Sequence, residues 1–283
     1  MPVTQTPMRY PGGKSRLYPV VSLLLARNGL SGGTWAEPFC GGAGLALALL
    51  FKGDVSRVVL ADADPAVVSV WLACRDRPAE LCRFVSEVPV TVAEWRRRRE
   101  VWQRLSKPSF ELACATLFLS RTNRAGILGA RPTGGLAQDG PESIASRFCR
   151  EGVCRKIRAV ASRSDSVEVL WCGWEEFLAD VSPGLGKGSV TYLDPPYVGA
   201  GPGLYRRSLS TDEHERLAGT LRRMTTPWLL SVDDCGLTRE LYRGFSQTDI
   251  GISYTAASKR RAAELLVAGG GVALEGLPAG KRR

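Results

Sequence analysis

The residues best suited to chemistry stand at the end of the run VTYLDPPY, residues 190–197. Its apolar and β-branched residues predict a buried strand, and a carboxylate, two prolines and an aromatic ring follow at the carboxyl end. Prolines lack a backbone N–H, so Asp194 and the carbonyl of Pro195 are acceptors without a competing amide hydrogen. With the flat face of Tyr197, they suit a planar group that carries an exocyclic amine, such as the edge of adenine. A strand with a proline-rich turn and a core tyrosine fits the same residues, and the tetrapeptide alone does not decide.

Composition places the chain among ordinary globular proteins. It has 283 residues, of which 44% are hydrophobic and 23% charged, so we expect one large domain or one domain with an insertion. No apolar run approaches membrane-spanning length and the first residues lack the order of a signal peptide, which predicts a cytoplasmic protein without a membrane partner. The eight cysteines form no CxxC pair, so neither a disulfide framework nor a metal cluster is expected.

Positive charge is concentrated in the middle of the chain. The net charge is +10, and residues 75–163 hold 18 Lys and Arg against 9 Asp and Glu, a net +9. A basic segment of this kind indicates a polyanionic partner, most often nucleic acid. For the four arginines at 96–99, a solvated helix is an equally fair interpretation, because four consecutive residues spread around a helix.

Two strands with polar ends precede the basic segment. Residues 34–39 predict a strand that enters a glycine-rich turn at 40–44 and an apolar helix, the first unit of a doubly wound sheet. A second strand at 57–61 ends in Asp62, where such folds bind ribose hydroxyls. A helix cap is the alternative, and Asp64 before a proline is well suited to it.

Two nucleotide fingerprints fail on inspection. The dinucleotide pattern GxGxxG would need glycine where the chain has Leu47, so a nicotinamide cofactor is not favoured. The segment GGKS would complete a phosphate loop only with glycine in place of Met8 and with a preceding strand.

The middle segment changes character. Helical patterns run over residues 67–85, 92–105 and 110–120. A polar, glycine-rich loop at 121–135 follows, and long loops of this kind are usually functional or disordered. Its Arg and Asn side chains suit contacts with guanine and adenine edges. We therefore interpret residues 75–163 as an inserted, mostly helical recognition domain.

Alternating strands and helices resume after the insertion. Strands are predicted at 167–172, 190–193, 228–232, 247–252 and 264–268, and helices at 18–27 and 211–224. The last two strands lie too close for a crossover helix, which predicts an antiparallel pair. The expected fold is α/β, a doubly wound Rossmann-like sheet with a reversed last strand, built from residues 1–74 and 164–283.

The order of the motifs resembles that of a known family. The chain carries RYPGGK, EPFCGGAG, LADAD, FLSRTNRAGILGARPTGG, YLDPPY and LLSVDD in this order. This set resembles the Dam-like DNA adenine methylases, which use S-adenosylmethionine, and the resemblance covers residues 9–268. Several amino-group methylases share DPPY, whereas the ordered set is far more specific.

The resemblance implies a site for the methyl donor. Residues expected to pack over the cofactor or to line its methionine portion are Tyr10, Gly12, Gly13, Lys14, Glu37, Pro38, Phe39 and Gly41. Asp62 would bind the ribose, Trp174 would stack beside the cofactor's adenine, and Asp194 would border the methyl group.

The resemblance also implies a catalytic set and a DNA-binding set. The catalytic residues would be Asp194, Pro195, Pro196 and Tyr197, which hold an adenine flipped out of double-stranded DNA. The implied DNA contacts are Arg121, Asn123 and Arg124. A monomer or weak dimer is expected, and a companion restriction nuclease is compatible with the resemblance.

Three positions depart from the family pattern. Ala43 stands where many relatives have glycine, Leu209 lies where an aromatic residue is usual, and Asp234 replaces a common asparagine. They bear on the glycine turn and on the DNA-facing rim.

The expected reaction is direct methyl transfer to adenine N6 without a covalent enzyme intermediate. The only histidine, His214, is then not needed as a base and is interpreted as a residue at the start of a helix. The alternatives are an amino methylase acting on cytosine N4 or on adenine in RNA, and a basic DNA-binding protein without catalysis.

Overall fold

A mostly parallel sheet forms the centre of the computed structural model, which describes residues 5–196, 209–251 and 263–275. Its seven strands in this described part are β1 (Thr34–Glu37), β2 (Arg57–Asp62), β3 (Val167–Trp171), β4 (Val190–Leu193), β5 (Trp228–Asp233), β6 (Ser246–Gly251) and β7 (Ala263–Gly269). They stand in the order β3-β2-β1-β4-β5-β7-β6. β7 is antiparallel to β5 and β6, and the other neighbours are parallel. The predicted Rossmann-like sheet with a reversed last strand is confirmed.

Helices connect the strands and form the middle segment. They are α1 (Tyr18–Arg27), α2 (Gly44–Lys52), α3 (Pro65–Asp76), α4 (Pro78–Glu87), α5 (Val92–Arg104), α6 (Phe110–Thr122), α7 (Arg150–Ala161), α8 (Trp174–Glu176), α9 (Thr211–Arg223) and α10 (Gly236–Leu241). A π-helical turn (Phe177–Val181) continues α8. Within the described ranges, no helix has the length and apolar character to cross a membrane.

The central strands are buried on both faces of the sheet. Trp35 of β1 lies in one hydrophobic cluster with α1, α2 and α3, whereas the next residue, Ala36, lies in a second cluster with α9. Tyr192 and Leu193 of β4 divide in the same way. Successive side chains of a strand point to opposite faces, so a doubly covered sheet requires the continuous apolar runs that the sequence shows.

The strand order of the sheet reverses between β1 and β4, which is the topological switch point of the fold. From β1 the chain builds outward through β2 to β3, and from β4 it builds outward through β5 on the other side. Open α/β sheets bind ligands in the crevice at the carboxyl ends of the two strands that flank such a point. Here these ends carry Glu37 and Asp194, respectively.

The helical pattern over residues 67–85 belongs to two helices and not to one. α3 ends at Asp76 and α4 begins at Pro78. Pro78 has no N–H to donate to the preceding turn but is well accommodated at the first position of a helix, so it starts a new one.

The basic segment packs directly on the sheet domain. α6 lies against α3, α5 against α6, and α4 against α7. Phe118 of α6 and Ile157 of α7 belong to the same cluster as Leu60 of β2. The boundaries of a recognition domain at 75 and 163 stay a prediction, whereas the apolar core runs continuously across them.

The loop after α6 contacts the amino-terminal segment at a glycine. Gly126 has a φ of +76°, and a Cβ at this position would lie 2.5 Å from the carbonyl oxygen of Arg9. Only glycine allows both this conformation and this approach of the two backbones. The contact therefore fixes the loop relative to the segment that carries Arg9 to Lys14.

We expect Gly126→Ala to lower the free energy of unfolding by about 3 kcal/mol, because left-handed strain and steric overlap add. Gly135→Ala is the matched control, since Gly135 also has a positive φ, +74°, but nothing lies within 4 Å of the added Cβ. Its cost should be only about 1 kcal/mol. Urea denaturation of both variants measures the difference, and equal costs would contradict the close approach.

Candidate active site

A cavity opens at the carboxyl ends of β1 and β4. Every residue predicted to hold the cofactor lines it, namely Tyr10, Gly12, Gly13, Lys14, Glu37, Pro38, Phe39, Gly41, Asp62, Trp174 and Asp194. Pro196 also lines the cavity, whereas Tyr197 lies outside the described residues. The structure thus brings segments from far apart in the chain to one site.

The glycine turn after β1 admits the ring of Tyr10. Gly41 has a φ of +42°, and a Cβ on it would lie 2.7 Å from the Tyr10 ring. The Gly41 N–H donates to Asp62 (3.0 Å), and its carbonyl accepts from the Trp71 indole (2.9 Å). Ala43 also adopts a left-handed conformation, with a φ of +46°. The glycines serve to admit a neighbouring side chain, which then forms part of the cavity wall.

The sequence left ribose binding and helix capping open for the aspartates after β2, and the structure gives Asp62 and Asp64 different positions. Asp64 caps α3 by accepting the N–H of Ala66 at 2.9 Å. Asp62 uses one oxygen for the N–H of Gly41 and the other for the N–H of Asp64 (2.9 Å), and it lines the cavity. Burial raises the pKa of Asp62 to about 7, although these two amides favour the ionised form. Each oxygen keeps a second lone pair for a ligand hydroxyl.

Asp194 is held through one of its two oxygens. The Lys14 ammonium lies 3.0 Å from Oδ1, and the Ser231 hydroxyl donates to the same atom at 3.0 Å. Tyr192 and Ser231 share a further hydrogen bond of 2.7 Å. Within the described residues, Oδ2 has no hydrogen-bond partner. The arrangement leaves one carboxylate oxygen available as an acceptor at the cavity.

Burial raises the pKa of Asp194 to about 6, while Lys14 lowers it and Glu264 raises it. Lys14 is 4% exposed and also pairs with Glu264, at 3.1 Å. The sequence predicted Lys14 as a cofactor residue and did not predict this pairing. Glu264 was missed altogether, although a lone carboxylate at the start of an apolar strand was a usable signal.

Glu37 is a second buried carboxyl group in the site. Its Oε1 accepts from the Trp35 indole (2.8 Å) and from the N–H of Ala46 (3.1 Å), which fixes the turn against α2. Burial raises the pKa of Glu37 to about 8, and the charge of Asp194 acts in the same direction. The group therefore presents a largely neutral acid to the cavity at neutral pH.

Two further residues line the cavity, whereas Asp234, which departs from the family pattern, is not part of its lining. Trp174 at the start of α8 is buried and lines the cavity. Leu209 lines it as well, packed against the second hydrophobic cluster. Asp234 binds Arg239 through two hydrogen bonds of 2.5 and 2.8 Å. This ion pair gives the carboxylate at Asp234 a structural role.

The loop after α6 contains side chains with different roles. Asn123 is fully buried, accepts from the Trp95 indole (2.6 Å) and donates to the carbonyls of Ile127 and Leu128 (2.9 and 2.8 Å). The DNA contact expected of Asn123 stays a prediction, and in this structure its amide is occupied in holding the loop. Arg124 is exposed and remains a candidate.

The arginine run of α5 also supports this loop. Arg97 and Arg98 pair with Glu94, at 2.9 and 2.6 Å. Arg99 donates to the carbonyls of Gly129 and Ala130, at 3.3 and 3.1 Å. The solvated-helix interpretation left open for this run therefore describes Arg96 and Arg97, which are exposed, better than Arg98 and Arg99.

Three cations near the loop are close enough to repel one another. Burial lowers the pKa of Arg121 to about 10, and the charge of Arg9 lowers it further. Burial also lowers the pKa of Lys156, with Arg121 the next cause. The Nε of Arg121 is buried and has no hydrogen-bond partner in the described part of the chain. A bound anion would offset the repulsion between these cations and accept a hydrogen bond from the Arg121 Nε. Arg9, Arg121 and Lys156 therefore form a basic cluster suited to phosphate. Sequence reasoning missed Arg9 and Lys156.

A parallel sheet with a reversed strand between β5 and β6, and with a cavity at its switch point, defines a Rossmann-like methyltransferase. The family model of D12 class N6 adenine-specific DNA methyltransferases matches residues 10–131 and 154–255. The chain belongs to this family, and its activity is methylation of adenine N6 in DNA. No curated protein matched the chain.

The burial of Asn123 yields a test of its role. Asn123→Ala should lower the free energy of unfolding by about 3 kcal/mol, because it leaves buried carbonyls and the Trp95 N–H without partners. Arg124→Ala is the control at an exposed neighbour and should change stability by no more than about 0.5 kcal/mol. Urea denaturation measures both, and an Asn123→Ala variant as stable as the wild type would contradict the role of this amide in holding the loop.

Proposed function

We propose that this DNA adenine methyltransferase binds S-adenosylmethionine in the cavity and holds a flipped adenine against Asp194, Pro195, Pro196 and Tyr197. The observation that carries the proposal is the Asp194 carboxylate, which is held through Oδ1 and keeps Oδ2 available. A structural ion pair would have no reason to leave one carboxylate oxygen facing a cavity.

The residues around the cavity fit the cofactor. Asp62 offers lone pairs for two ribose hydroxyls, Trp174 offers an aromatic surface for the adenine ring, and Tyr10 closes the wall over the glycine turn. Gly12, Gly13, Pro38 and Phe39 complete the lining. When bound, S-adenosylmethionine supplies a methyl group on a positively charged sulfur.

Asp194 and Pro195 activate the amino group of the target base. The adenine nitrogen is a poor nucleophile because its lone pair is delocalised into the ring. If Asp194 Oδ2 and the Pro195 carbonyl accept its two hydrogens, the nitrogen becomes more tetrahedral and the lone pair points at the methyl group. S-adenosylmethionine held beside Asp62 and Trp174 would supply the methyl group for the new N–C bond, and its sulfur would keep the electron pair of the S–C bond. One amino hydrogen would then pass to solvent as a proton. Positioning and electrostatics supply the catalysis.

The target base must first leave the duplex. Flipping costs on the order of a few kcal/mol in lost stacking and pairing. Stacking of the flipped base on the ring of Tyr197 offsets part of that cost. His214, buried in α9, is not required as a base in this scheme.

The basic cluster of Arg9, Arg121 and Lys156 provides the DNA-binding surface together with Arg124. Gly126 places the loop beside Arg9, so the cations come from the amino-terminal segment, the end of α6 and α7. Cations of this kind bind phosphates, whereas base readout requires contacts within a groove. Residues 75–163 are proposed as the recognition region.

The family membership does not favour methylation of cytosine N4 or of RNA, nor a protein without catalysis. The cytoplasmic location, the monomer or weak dimer, and a companion restriction nuclease stay predictions from the sequence.

Asp194→Asn should reduce single-turnover methylation of duplex DNA by at least about 100-fold, because an amide is a weaker acceptor than a carboxylate for the amino hydrogens. Labelled methyl transfer followed by nucleoside analysis measures rate and product together. We expect N6-methyladenine from the wild type and cofactor binding by the variant close to that of the wild type. An active variant, or N4-methylcytosine as the product, would refute the proposed chemistry.

Arg121→Gln should weaken DNA binding and reduce the slope of log K against log salt by about 1, because one phosphate contact and its released counterion are lost. Arg243→Gln is the matched control, since Arg243 is exposed and pairs with Glu240. Fluorescence anisotropy at several salt concentrations measures both. An unchanged slope for Arg121→Gln would remove this residue from the interface.

A natural probe of the same surface is Cys149, the only exposed cysteine of the eight. Cys149 is an electrostatic neighbour of both Arg121 and Lys156, so it lies beside the basic cluster. DNA should protect this thiol from alkylation, as mass spectrometry of the labelled peptide can show.

A further inference from the structure

The reversed strand carries a carboxylate to the catalytic edge of the sheet. Glu264 is fully buried near the start of β7, opposite Asp233 of β5. β5 and β4 run in parallel and end at this edge, whereas β7 begins there because its direction is opposite. Reversal therefore brings an early residue of β7 next to residues that end the parallel strands, such as Asp194.

Glu264 reaches Asp194 through Lys14. The ammonium lies 3.1 Å from Glu264 Oε1 and 3.0 Å from Asp194 Oδ1. Lys14 is 4% exposed and Glu264 is 0% exposed, so water screens these charges little. The ammonium is thus fixed between two carboxylates, and its position on Asp194 Oδ1 depends on the second one.

The three charges do not cancel. Lys14 alone would neutralise Asp194 and weaken it as an acceptor, whereas Lys14 with two ionised carboxylates leaves one net negative charge. During methyl transfer the adenine nitrogen becomes positive, because it donates its lone pair before it loses a proton. A buried negative charge beside that nitrogen stabilises the transition state more than the ground state.

We infer that Glu264 is a positioning residue for methyl transfer, which fixes Lys14 on Asp194 Oδ1 and keeps the buried charge group negative toward the reacting nitrogen. This inference rests on the proposed function of Asp194 as the acceptor of an amino hydrogen. Glu264 itself does not touch the substrate.

A purely structural role for Glu264 predicts different behaviour. If Glu264 only stabilised the fold, its replacement would lower stability and leave the pH dependence of the chemical step unchanged. The charged groups that act on Asp194 are Lys14 and Glu264. Two further titratable groups lie nearby: Glu37, whose pKa is raised to about 8, and the buried Tyr192. Of these, replacement of Glu264 removes one charge and leaves the others.

The direction of the expected pH shift follows from the charges. Asp194 has a pKa raised to about 6, so in the wild type the rate should fall as the pH drops through this value and the carboxylate is protonated. Glu264 is one cause of the raised pKa. Removing its charge should lower the pKa of Asp194, and the fall in rate should move to lower pH.

The experiment compares full-length Glu264→Gln with the wild type in single-turnover methylation of duplex DNA from about pH 5 to about pH 9. For Glu264→Gln we expect the maximal methylation rate to fall at least about 10-fold. We also expect the decline in rate at acidic pH to occur at a lower pH than in the wild type. DNA affinity should stay at the wild-type value. If Glu264→Gln had the maximal rate and the acidic decline of the wild type, the inference would be overturned.

Three further variants keep the test decisive. Glu264→Asp retains the negative charge, so the acid limb of its pH–rate profile should stay near the wild-type position. This variant provides a test of the charge that does not depend on how well Glu264→Gln folds. Lys14→Gln should move the limb to higher pH, because Lys14 lowers the pKa of Asp194. Glu240→Gln makes the same chemical change at an exposed residue of α10 and should leave the profile unchanged.

The inference and the proposed function fail in different ways. Activity in Asp194→Asn would refute the acceptor role itself. An inactive Asp194→Asn variant combined with a wild-type profile for Glu264→Gln would overturn only the role of Glu264.

Discussion

The buried pair of Lys14 and Asp194 is the interaction on which the site depends. Removing two charges from water costs more than their mutual attraction returns unless further polar groups complete the arrangement. Ser231 and Glu264 are those groups, so the amino-terminal segment, β4, β5 and β7 must all meet at one edge. These segments meet at one edge because of three features of the fold: the switch point between β1 and β4, the reversed strand β7, and the glycine turn that contacts Tyr10.

The basic segment shows how little net charge alone says about binding. Arg97 and Arg98 neutralise Glu94, and Arg99 supports the loop that follows α6. Arg9 and Arg121, in contrast, come from separate elements and lie close enough to repel each other. A surface for a polyanion is thus assembled by folding and is not visible as a run in the sequence.

Sequence reasoning predicted the sheet, its reversed strand and the residues around the cavity, because apolar runs and glycine turns are local signals with strong physical causes. It joined α3 and α4, since helical periodicity continues across Pro78. It assigned Asn123 by side-chain chemistry, which does not reveal burial. Lys156 was missed because its importance lies in contacts between distant segments, which leave no local pattern. For Glu264 the lone carboxylate in an apolar strand was a local signal, but its partner Lys14 was not visible in the sequence.

The contact between Lys14 and Glu264 joins residues 250 positions apart. Closing so long a loop is entropically costly and slow, and during synthesis it cannot begin until β7 has left the ribosome. The charge group around Asp194 is therefore assembled last. A nascent or truncated chain could fold its first strands and still lack a complete site, so methyl transfer would be confined to finished molecules.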